Sequence, residues 1–383
     1  MKIPCYAYYQ AKVLEIYSPG MNLANLSKNV LLNMLALFTA FLSPRVIPEA
    51  FAANNNYAGP GPFSVSVSTV EDQGLLFKPS DPNESREKWP AVVFAHGLCG
   101  PAEKYSSTLS RLASWGFIVI ANQEQGDCGV INVNHPLATL GNLFQLPVKF
   151  SNAVDFSRMA DDIRANLNYL VGRSDVDSTR LALMGHSMGG GMVIDVASEL
   201  GEQQSNIVKA VVAIAPWNGV QPTPSSIVDN ANAPILIFCS MTDALCPCSG
   251  EVQLSDTQAI FTNNVSPVIP LFFGRQSDST WNGGSMAILK NSKDAILMNV
   301  NQVSHFTIAG IDNGGEMQDF SDWARSETGL NFNRPSRSYS DIPTMEYSVA
   351  FLNQILNLDV KTGRSVLDQS SSDSRISEVV NSN

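Results

Sequence analysis

The sequence predicts a three-layer α/β domain, in which a mostly parallel sheet lies between two layers of helices. Six short, continuous apolar runs are typical of strands that are buried on both faces of a parallel sheet. Helical patterns separate these runs, and this alternation is the order that a parallel sheet with helical crossovers requires. The six runs are Ala91–Ala95, Phe117–Ala121, Leu181–Met184, Ala210–Ala215, Ile235–Ser240 and Ala295–Val300.

The composition excludes several classes of protein. Among the 383 residues, 24 Lys and Arg stand against 35 Asp and Glu, which gives a formal net charge of −11. This balance disfavours a nucleic-acid binder, because such a protein needs a basic face against phosphates. With 44% apolar and only 15% charged residues, the chain can bury a large core and is not a disordered protein. The length favours one large domain, with or without appendages.

An apolar run near the N-terminus is typical of a signal peptide. Val30–Leu42 reads VLLNMLALFTAFL, which is too short to span a bilayer but suits the apolar region of a signal peptide. Ala50 and Ala52 offer a cleavage site, so we expect residues 1–52 to be a targeting leader, with a buried N-terminal helix as the alternative. Phe51 resembles the boundary residue of bipartite plastid leaders in algae. This favours a plastid destination, with secretion or an endomembrane lumen as the alternative.

The remaining elements follow in order along the chain. Phe63–Val70 alternates apolar and polar residues, as a half-exposed antiparallel strand does, and we expect Leu75–Phe77 to pair with it. Asp155–Val171 places its Phe, Met, Ile and Leu side chains on one face of a helix. Met345–Leu356 predicts a helix that closes the domain, which we expect over residues 57–358.

Three segments are longer than ordinary connections of about 2 to 6 residues. They are Gln123–Asn152, Ser249–Asn291 and Thr307–Pro343. Each would follow the carboxyl end of a strand, where α/β proteins keep their binding sites. We therefore expect these long loops to be functional, with neutral insertion as the alternative. The tail 361–383 is polar, and we expect it to be disordered.

The cysteines leave two readings open. Cys239 lies inside an apolar run, which indicates a buried free thiol. Cys99, Cys128, Cys246 and Cys248 lie in predicted loops and form either two disulfides, in one of three pairings, or four free thiols. One residue between Cys246 and Cys248 is not the spacing of a structural zinc pair, so no metal site is expected.

Residues Gly185–Gly189 read GHSMG and match the G-x-S-x-G pattern of a nucleophile elbow. The motif follows an apolar strand and precedes a helical pattern over Gly189–Leu200, which is the context that it requires. A strand that turns abruptly into a helix holds the serine in a strained conformation. The flanking positions must then be glycine, because a Cβ would collide there. Ser187 is therefore the predicted nucleophile.

A serine hydroxyl needs a base to act as a nucleophile at neutral pH. In the elbow topology the order along the chain is serine, acid, histidine. The four histidines are His96, His135, His186 and His305, and only the last lies beyond Ser187. It follows the apolar run AILMNV, so His305 is the predicted general base. We expect His96 and His186 to be structural neighbours of the site.

The acid should follow another strand between the serine and the histidine. The acidic candidates are Asp195, Glu199, Glu202, Asp229, Asp243, Glu251, Asp256, Asp278 and Asp294. Only Asp243 directly follows a long apolar run, PILIFCSMT. Asp195 and Glu199 lie on the predicted helix after the elbow. Asp243 is therefore predicted to orient His305 and to stabilise its charged form.

An oxyanion hole needs two backbone N–H groups near the nucleophile. Met188, the residue after the serine, is predicted to supply one. The other is expected from His96–Gly100, HGLCG, which ends an early strand. There Gly97 allows close approach and Leu98 donates the N–H; an ordinary glycine-rich strand end is the alternative. This chemistry implies no metal and no organic cofactor.

The chain from about Gly61 to Leu356 resembles the α/β-hydrolase superfamily. The order of its motifs is similar to a branch that includes chlorophyllases, platelet-activating-factor acetylhydrolases, dienelactone hydrolases and bacterial polyester hydrolases (cutinases). The motifs are GPFSV at Gly61–Val65, HGLCG at His96–Gly100, LASWGFIVIANQ at Leu112–Gln123, GHSMGGG at Gly185–Gly191, APW at Ala215–Trp217, SMTDALCP at Ser240–Pro247 and VSHF at Val303–Phe306. The resemblance implies the α/β-hydrolase fold and a serine esterase that works by two-step acyl transfer.

The substrate is predicted from the leader and the loops. A plastid leader favours a chlorophyllase, which converts chlorophyll and water to chlorophyllide and phytol. The alternatives are a secreted esterase of the acetylhydrolase or cutinase type and, more remotely, a non-catalytic binding protein. Trp217 matches an aromatic that flanks the ester in polyester hydrolases, and Phe144 belongs to the apolar loop 123–152. The expected partners are a small hydrophobic ester and, transiently, a membrane or lipid surface.

Overall fold

The computed structural model describes residues 57–80, 87–97, 100–122, 156–217, 231–241, 243, 246, 248, 251–255, 258–261, 284–303, 305–311 and 342–382. The predicted leader, 1–52, and the apolar loop, 123–152, lie outside these residues. The leader and its destination therefore stay predictions.

Eleven strands lie in the described part of the chain. They are β1 Ser64–Val70, β2 Gly74–Ser80, β3 Trp89–Ala95, β4 Ile118–Ala121, β5 Val176–His186, β6 Val208–Ile214, β7 Ile235–Cys239, β8 Glu251–Ser255, β9 Gln258–Phe261, β10 Ala295–Val300 and β11 Ile376–Asn381. Nine of them form one sheet in the order β1-β2-β4-β3-β5-β6-β7-β10-β11. The pairs from β4 to β10 are parallel, and both edges of the sheet are antiparallel. The predicted mostly parallel sheet is confirmed.

The described helices pack against this sheet in two contact groups. They are α1 Ser106–Ser114, α2 Phe156–Val171, α3 Met188–Glu202, α4 Gly284–Lys290, α5 Thr344–Ile355 and α6 Val360–Asp368. One group is made by α2 and α3, which contact each other and the central strands, and the other by α1 and α5, with α6 packed on α5. Separately, α4 contacts β7 and β10. Helices thus flank the sheet, as the sequence predicts.

Burial along the strands explains why the sequence pattern identifies them. Every residue of β3, β4 and β7 is buried, because these strands are covered on both faces and so need continuous apolar runs. The edge strand β1 pairs with β2 in the register Ser64↔Ser80 and stays largely exposed; the side chain of Val67 keeps 50% of its surface accessible. Its alternating sequence reflects that edge position.

The C-terminal tail differs from the prediction. Residues 361–383 were expected to be disordered, yet α6 covers Val360–Asp368 and β11 pairs antiparallel with β10. Few apolar residues are needed because each element buries only one face, through Val366 and Ile376, which are 5% and 7% exposed. That small apolar content hides both elements in a polar sequence. The expectation of a disordered tail is therefore wrong.

The cysteines also differ from the prediction. Cys239, expected to be a free thiol, forms a disulfide with Cys248, nine residues further along the chain. Cys246 is a free, buried thiol. Cys239 ends β7 and Cys248 lies just beyond Asp243, so this disulfide closes the loop that carries the predicted acid. Cys99 and Cys128 lie outside the described residues.

The long segments are only partly described. Ser249–Asn291, expected to be a loop, contains the antiparallel pair β8–β9 and the helix α4. Among the described helices, none combines the length and the apolar character that a bilayer crossing demands.

Candidate active site

Ser187 occupies a sharp turn between β5, which ends at His186, and α3, which begins at Met188. Its φ of 56° and ψ of −122° are strained for a residue with a side chain. Glycine is required on both sides of it. A Cβ on Gly185 would lie 2.3 Å from the carbonyl oxygen of Gly189, and one on Gly189 would lie 2.2 Å from that of Ala95. The elbow predicted from the motif is the turn that the backbone adopts.

Hydrogen bonds to neighbouring strands and loops hold the elbow in place. The N–H of Ser187 donates to the carbonyl of Ile214 at 2.9 Å, which fixes the turn against β6. Its carbonyl accepts from the N–H of Gly191 at 3.1 Å and from that of Trp217 at 2.9 Å. Trp217, predicted to bind substrate, therefore lies beside the nucleophile, although its side chain is only 9% exposed.

Asp243 and His305 meet at the same edge of the sheet. Nδ1 of His305 lies 2.7 Å from Oδ2 of Asp243, and the two side chains are 5% and 0% exposed. A carboxylate only accepts, so Nδ1 carries the proton and donates it. The opposite ring nitrogen, Nε2, then has a lone pair and can act as a base. The second oxygen of Asp243, Oδ1, accepts from the N–H of Cys246 at 2.9 Å, so both oxygens of the carboxylate have donors.

Cys246 links this pair to the nucleophile: its backbone N–H donates to Asp243, and its thiol contacts Ser187. The thiol forms a hydrogen bond with the Ser187 side chain. Burial, reinforced by the charge of Asp243, raises the pKa of the Cys246 thiol well above its ordinary value. The thiol therefore stays protonated and does not compete as a nucleophile. The sequence feature that relates Cys246 to the site is its position, three residues after the predicted acid.

Two further histidines surround the triad but cannot serve as bases. Burial, and then the nearby His305, lower the pKa of His186 to about 3. Burial also lowers the pKa of His96 below its ordinary value. Both rings are therefore neutral at physiological pH, and both have hydrogen-bond partners, as expected of structural neighbours. His135 lies outside the described residues.

The predicted oxyanion hole is described on one side only. Met188 is the first residue of α3, where the free backbone N–H groups and the helix dipole favour negative charge. Leu98 lies outside the described residues. Its neighbour Gly97 faces the nucleophile, since a Cβ there would lie 3.0 Å from Cβ of Ser187. Phe144, the other residue expected to contact substrate, also lies outside the described residues.

The structure places Ser187, His305 and Asp243 after the carboxyl ends of β5, β10 and β7. In the described part of the chain, no group of three or more His, Cys, Asp or Glu is placed to hold a metal ion. The roles of Ser187, Asp243 and His305 in acyl transfer stay predictions.

Comparison with known proteins gives a family match. Residues 73–275 match the dienelactone hydrolase family. That range includes Ser187 and Asp243 and ends before His305.

Curated relatives of the chain are distant in sequence. Cutinase 1 of Thermobifida cellulosilytica is 28% identical over 203 residues, which cover 50% of this chain and 63% of the relative. A cutinase of Thermobifida fusca (strain YX) is 26% identical over 259 residues, covering 61% and 73%. A bis(hydroxyethyl) terephthalate hydrolase of Streptomyces coelicolor is 27% identical over 229 residues, covering 54% and 62%. The chain thus spans between 62% and 73% of these relatives.

Proposed function

Because the chain belongs to the dienelactone hydrolase family of the α/β-hydrolase superfamily, we propose that it is a serine carboxylic-ester hydrolase. The observation that carries this proposal is the 2.7 Å bond between the buried Asp243 and His305, at the edge of the sheet that presents Ser187. The names of the relatives, cutinase and bis(hydroxyethyl) terephthalate hydrolase, support the same class of reaction.

The proposed reaction has two steps. Nε2 of His305 takes the proton of Ser187 as its Oγ attacks the ester carbonyl, and Asp243 stabilises the imidazolium that forms. The backbone N–H of Met188 faces the charge that develops on the carbonyl oxygen, and Leu98 is the proposed second donor. His305 then protonates the departing alcohol. Water hydrolyses the acyl-enzyme through the same groups in a second round.

For the substrate, we propose a hydrophobic ester of the cutinase or polyester type. The relatives support this alternative better than a chlorophyllase, which was the first choice on the basis of the leader. None of the three relatives reported above is named for chlorophyll. Chlorophyll therefore remains a comparison substrate in the assay below, and the proposed substrate is a polymer or an oligomer with accessible ester bonds.

Export from the cell follows from such a substrate. An insoluble polymer does not enter a cell, so an enzyme that acts on it must leave the cell, in agreement with a signal peptide over Val30–Leu42. The disulfide between Cys239 and Cys248 supports an oxidising compartment, because disulfides are rare in reducing ones. We therefore propose secretion rather than a plastid destination.

A hydrolysis panel tests the proposal. The purified chain is given bis(hydroxyethyl) terephthalate, a polyester film, a short-chain p-nitrophenyl ester, a phospholipid and chlorophyll a, with Ser187→Ala as the matched control. We expect release of terephthalate and p-nitrophenol by the wild type alone. Exclusive release of chlorophyllide would replace the polyester assignment with the chlorophyllase one. Equal turnover by Ser187→Ala would refute the serine mechanism.

A further inference from the structure

A buried chain of hydrogen bonds runs beneath the nucleophile through two side chains that the proposed reaction does not use. The N–H of Gly97 donates to the hydroxyl of Tyr105 at 3.0 Å. That hydroxyl lies 2.9 Å from Nδ1 of His186, and Nε2 of His186 lies 2.8 Å from the carbonyl oxygen of His305. These hydrogen bonds therefore connect the segment after β3 with the segment that carries the predicted base.

The direction of every bond in this chain follows from its end groups. A carbonyl only accepts, so Nε2 of His186 must carry a proton and donate it to His305. His186 is neutral, because burial lowers its pKa to about 3, so its other nitrogen, Nδ1, has a lone pair. The hydroxyl of Tyr105 then donates to Nδ1 and accepts from Gly97. The Tyr105 hydroxyl thus has one donor and one acceptor as partners, and each ring nitrogen of His186 has one partner with the complementary role.

The two ends of this hydrogen-bond chain, Gly97 and the backbone of His305, are the places where geometry matters for the proposed reaction. Gly97 faces Cβ of Ser187, and its carbonyl accepts from Nδ1 of His96 at 2.7 Å and from the N–H of Gly100 at 3.0 Å. The peptide groups on both sides of Gly97 are thereby held. At the other end, His305 is held at its ring by Asp243 and at its backbone by His186.

These hydrogen bonds lie beneath the site, and the side chains that make them do not reach the substrate side. Tyr105 and His186 are each 1% exposed, and the ring of His186 packs against that of His305 with centroids 4.6 Å apart. Thr108, in the first turns of α1, adds a parallel support, since its hydroxyl donates to the carbonyl of Ala309 at 2.9 Å, just after the base. Neither Tyr105 nor His186 is therefore a catalytic residue.

We propose that Tyr105 and His186 are positioning residues, which fix the spacing between Gly97 and the backbone of His305 on either side of Ser187. This inference rests on the proposed function of the site and adds to it. A base held at two points stays aligned with Ser187, and a small displacement of either end would slow the chemical step with little effect on substrate binding. The loss is therefore expected in kcat and not in KM.

The test compares two tyrosines with different neighbours. Tyr105→Phe removes the central hydroxyl and leaves the buried N–H of Gly97 without its acceptor. Tyr347→Phe is the matched control. Tyr347, on α5, is about equally buried, and its hydroxyl donates to Asp373 at 2.8 Å, away from the triad. We expect kcat for p-nitrophenyl ester to fall about 10- to 100-fold in Tyr105→Phe with KM within about 2-fold, and kcat of Tyr347→Phe to stay within about 2-fold of wild type.

Two variants of His186 separate positioning from general packing. The amide N–H of His186→Gln replaces the donor to the carbonyl of His305, whereas His186→Leu supplies none. We expect His186→Gln to keep about 10-fold more kcat than His186→Leu at equal folded fraction. If both variants lose kcat equally, or if Tyr105→Phe is no slower than Tyr347→Phe, the positioning role is overturned while the esterase assignment stands.

A spectroscopic readout keeps the inference testable without any turnover. In ¹⁵N-histidine-labelled wild type, His186 should show a protonated Nε2 and an unprotonated Nδ1 throughout the range from about pH 5 to 8. In Tyr105→Phe the Nδ1 signal should shift. A proton on Nδ1 of His186 in the wild type would overturn the chain of bonds, even if every ester in the panel proved to be no substrate.

Discussion

Asp243 is a fully buried carboxylate whose two oxygens each accept one hydrogen bond, from His305 and from the backbone of Cys246. A buried charge is costly unless it is paired and hydrogen-bonded, and these two bonds meet that condition. The task of Asp243 in the proposed mechanism is to keep the proton on Nδ1 of His305 and to stabilise the imidazolium.

Replacing this carboxylate by an amide tests that task. Asp243→Asn should lower kcat about 10³- to 10⁴-fold, because an amide donor at this position favours the wrong tautomer of His305. Circular dichroism should show an unchanged fold. The matched control is Asp195→Asn, another acidic residue between the serine and the histidine, which should keep kcat within about 2-fold of wild type. A larger loss of kcat in the control than in Asp243→Asn would show that Asp243 is not the acid.

Asp195 itself has a titration that affects stability. Burial, and then the charge of Glu199, raise its pKa from 3.8 to about 7. Below about pH 4 it is protonated in both the folded and unfolded chain, so it costs nothing. As the pH rises towards 7, the unfolded chain ionises first and the free energy of unfolding falls; above pH 7 the loss is complete and constant.

Asp195→Asn should remove this loss. At about pH 7 the variant is expected to be more stable than wild type by about 1 to 3 kcal/mol, and at about pH 4 the two should be equally stable. Urea unfolding at both pH values measures the difference. A gain of the same size at pH 4 would show that packing, not ionisation, causes it.

The residues of the site differ in how far the sequence could predict them. Ser187 has a local motif, and the order of the elements selected His305 and Asp243 before the structure brought them together. Tyr105 and Cys246 have no such motif, because their contacts with His186 and Ser187 depend on distant parts of the chain meeting in the fold.

At the scale of elements, the disulfide constrains the loop after β7. Cys239 and Cys248, nine positions apart, close a loop that includes Asp243 and Cys246. The sequence could not predict this pairing, because Cys239 lies inside a strand and its partner was one of four loop cysteines. A closed loop restricts the positions that Asp243 can adopt.

Opening this loop should cost both stability and activity. The double variant Cys239→Ala/Cys248→Ala should lose about 2.5 kcal/mol of the free energy of unfolding through loop-closure entropy. Its kcat should also fall, because Asp243 is held less firmly. The control is Val366→Ala, a buried substitution on α6 that should lose about 1 to 3 kcal/mol while keeping kcat near wild type. Denaturant titration and ester hydrolysis measure the two effects. Full kcat in the double variant would show that the disulfide does not hold the acid in place.

The tail shows the limit of composition as a guide to order. Its polar composition, in which serine is the commonest residue, predicts disorder, yet α6 and β11 extend the fold to residue 381. Asp359 caps α6 by accepting from the N–H of Thr362, and Arg375 bonds to Glu346 at 2.7 Å on α5. Polar residues here make specific long-range contacts, which a composition argument cannot see.

For the whole molecule, the sheet order explains why the site forms where it does. Parallel strands β5, β7 and β10 end at one edge, and each is followed by one member of the triad: Ser187, Asp243 and His305. This layout followed from the alternation of strands and helices in the sequence. The antiparallel edge strand β11 did not, because it lies in the polar tail. The choice of ester did not either, since Phe144, which is expected to contact it, lies outside the described residues.

Ser187 is the proposed single nucleophile of an esterase, and covalent labelling tests this role most directly. The wild-type chain is treated with an organophosphonate, and the adduct is mapped by mass spectrometry while residual p-nitrophenyl ester hydrolysis is followed. We expect one phosphonyl group per chain, on Ser187, formed in proportion to the activity lost, and no adduct on Ser187→Ala. Hydrolysis that continues after Ser187 is fully modified, or an inactivating adduct on another residue, would contradict the claim.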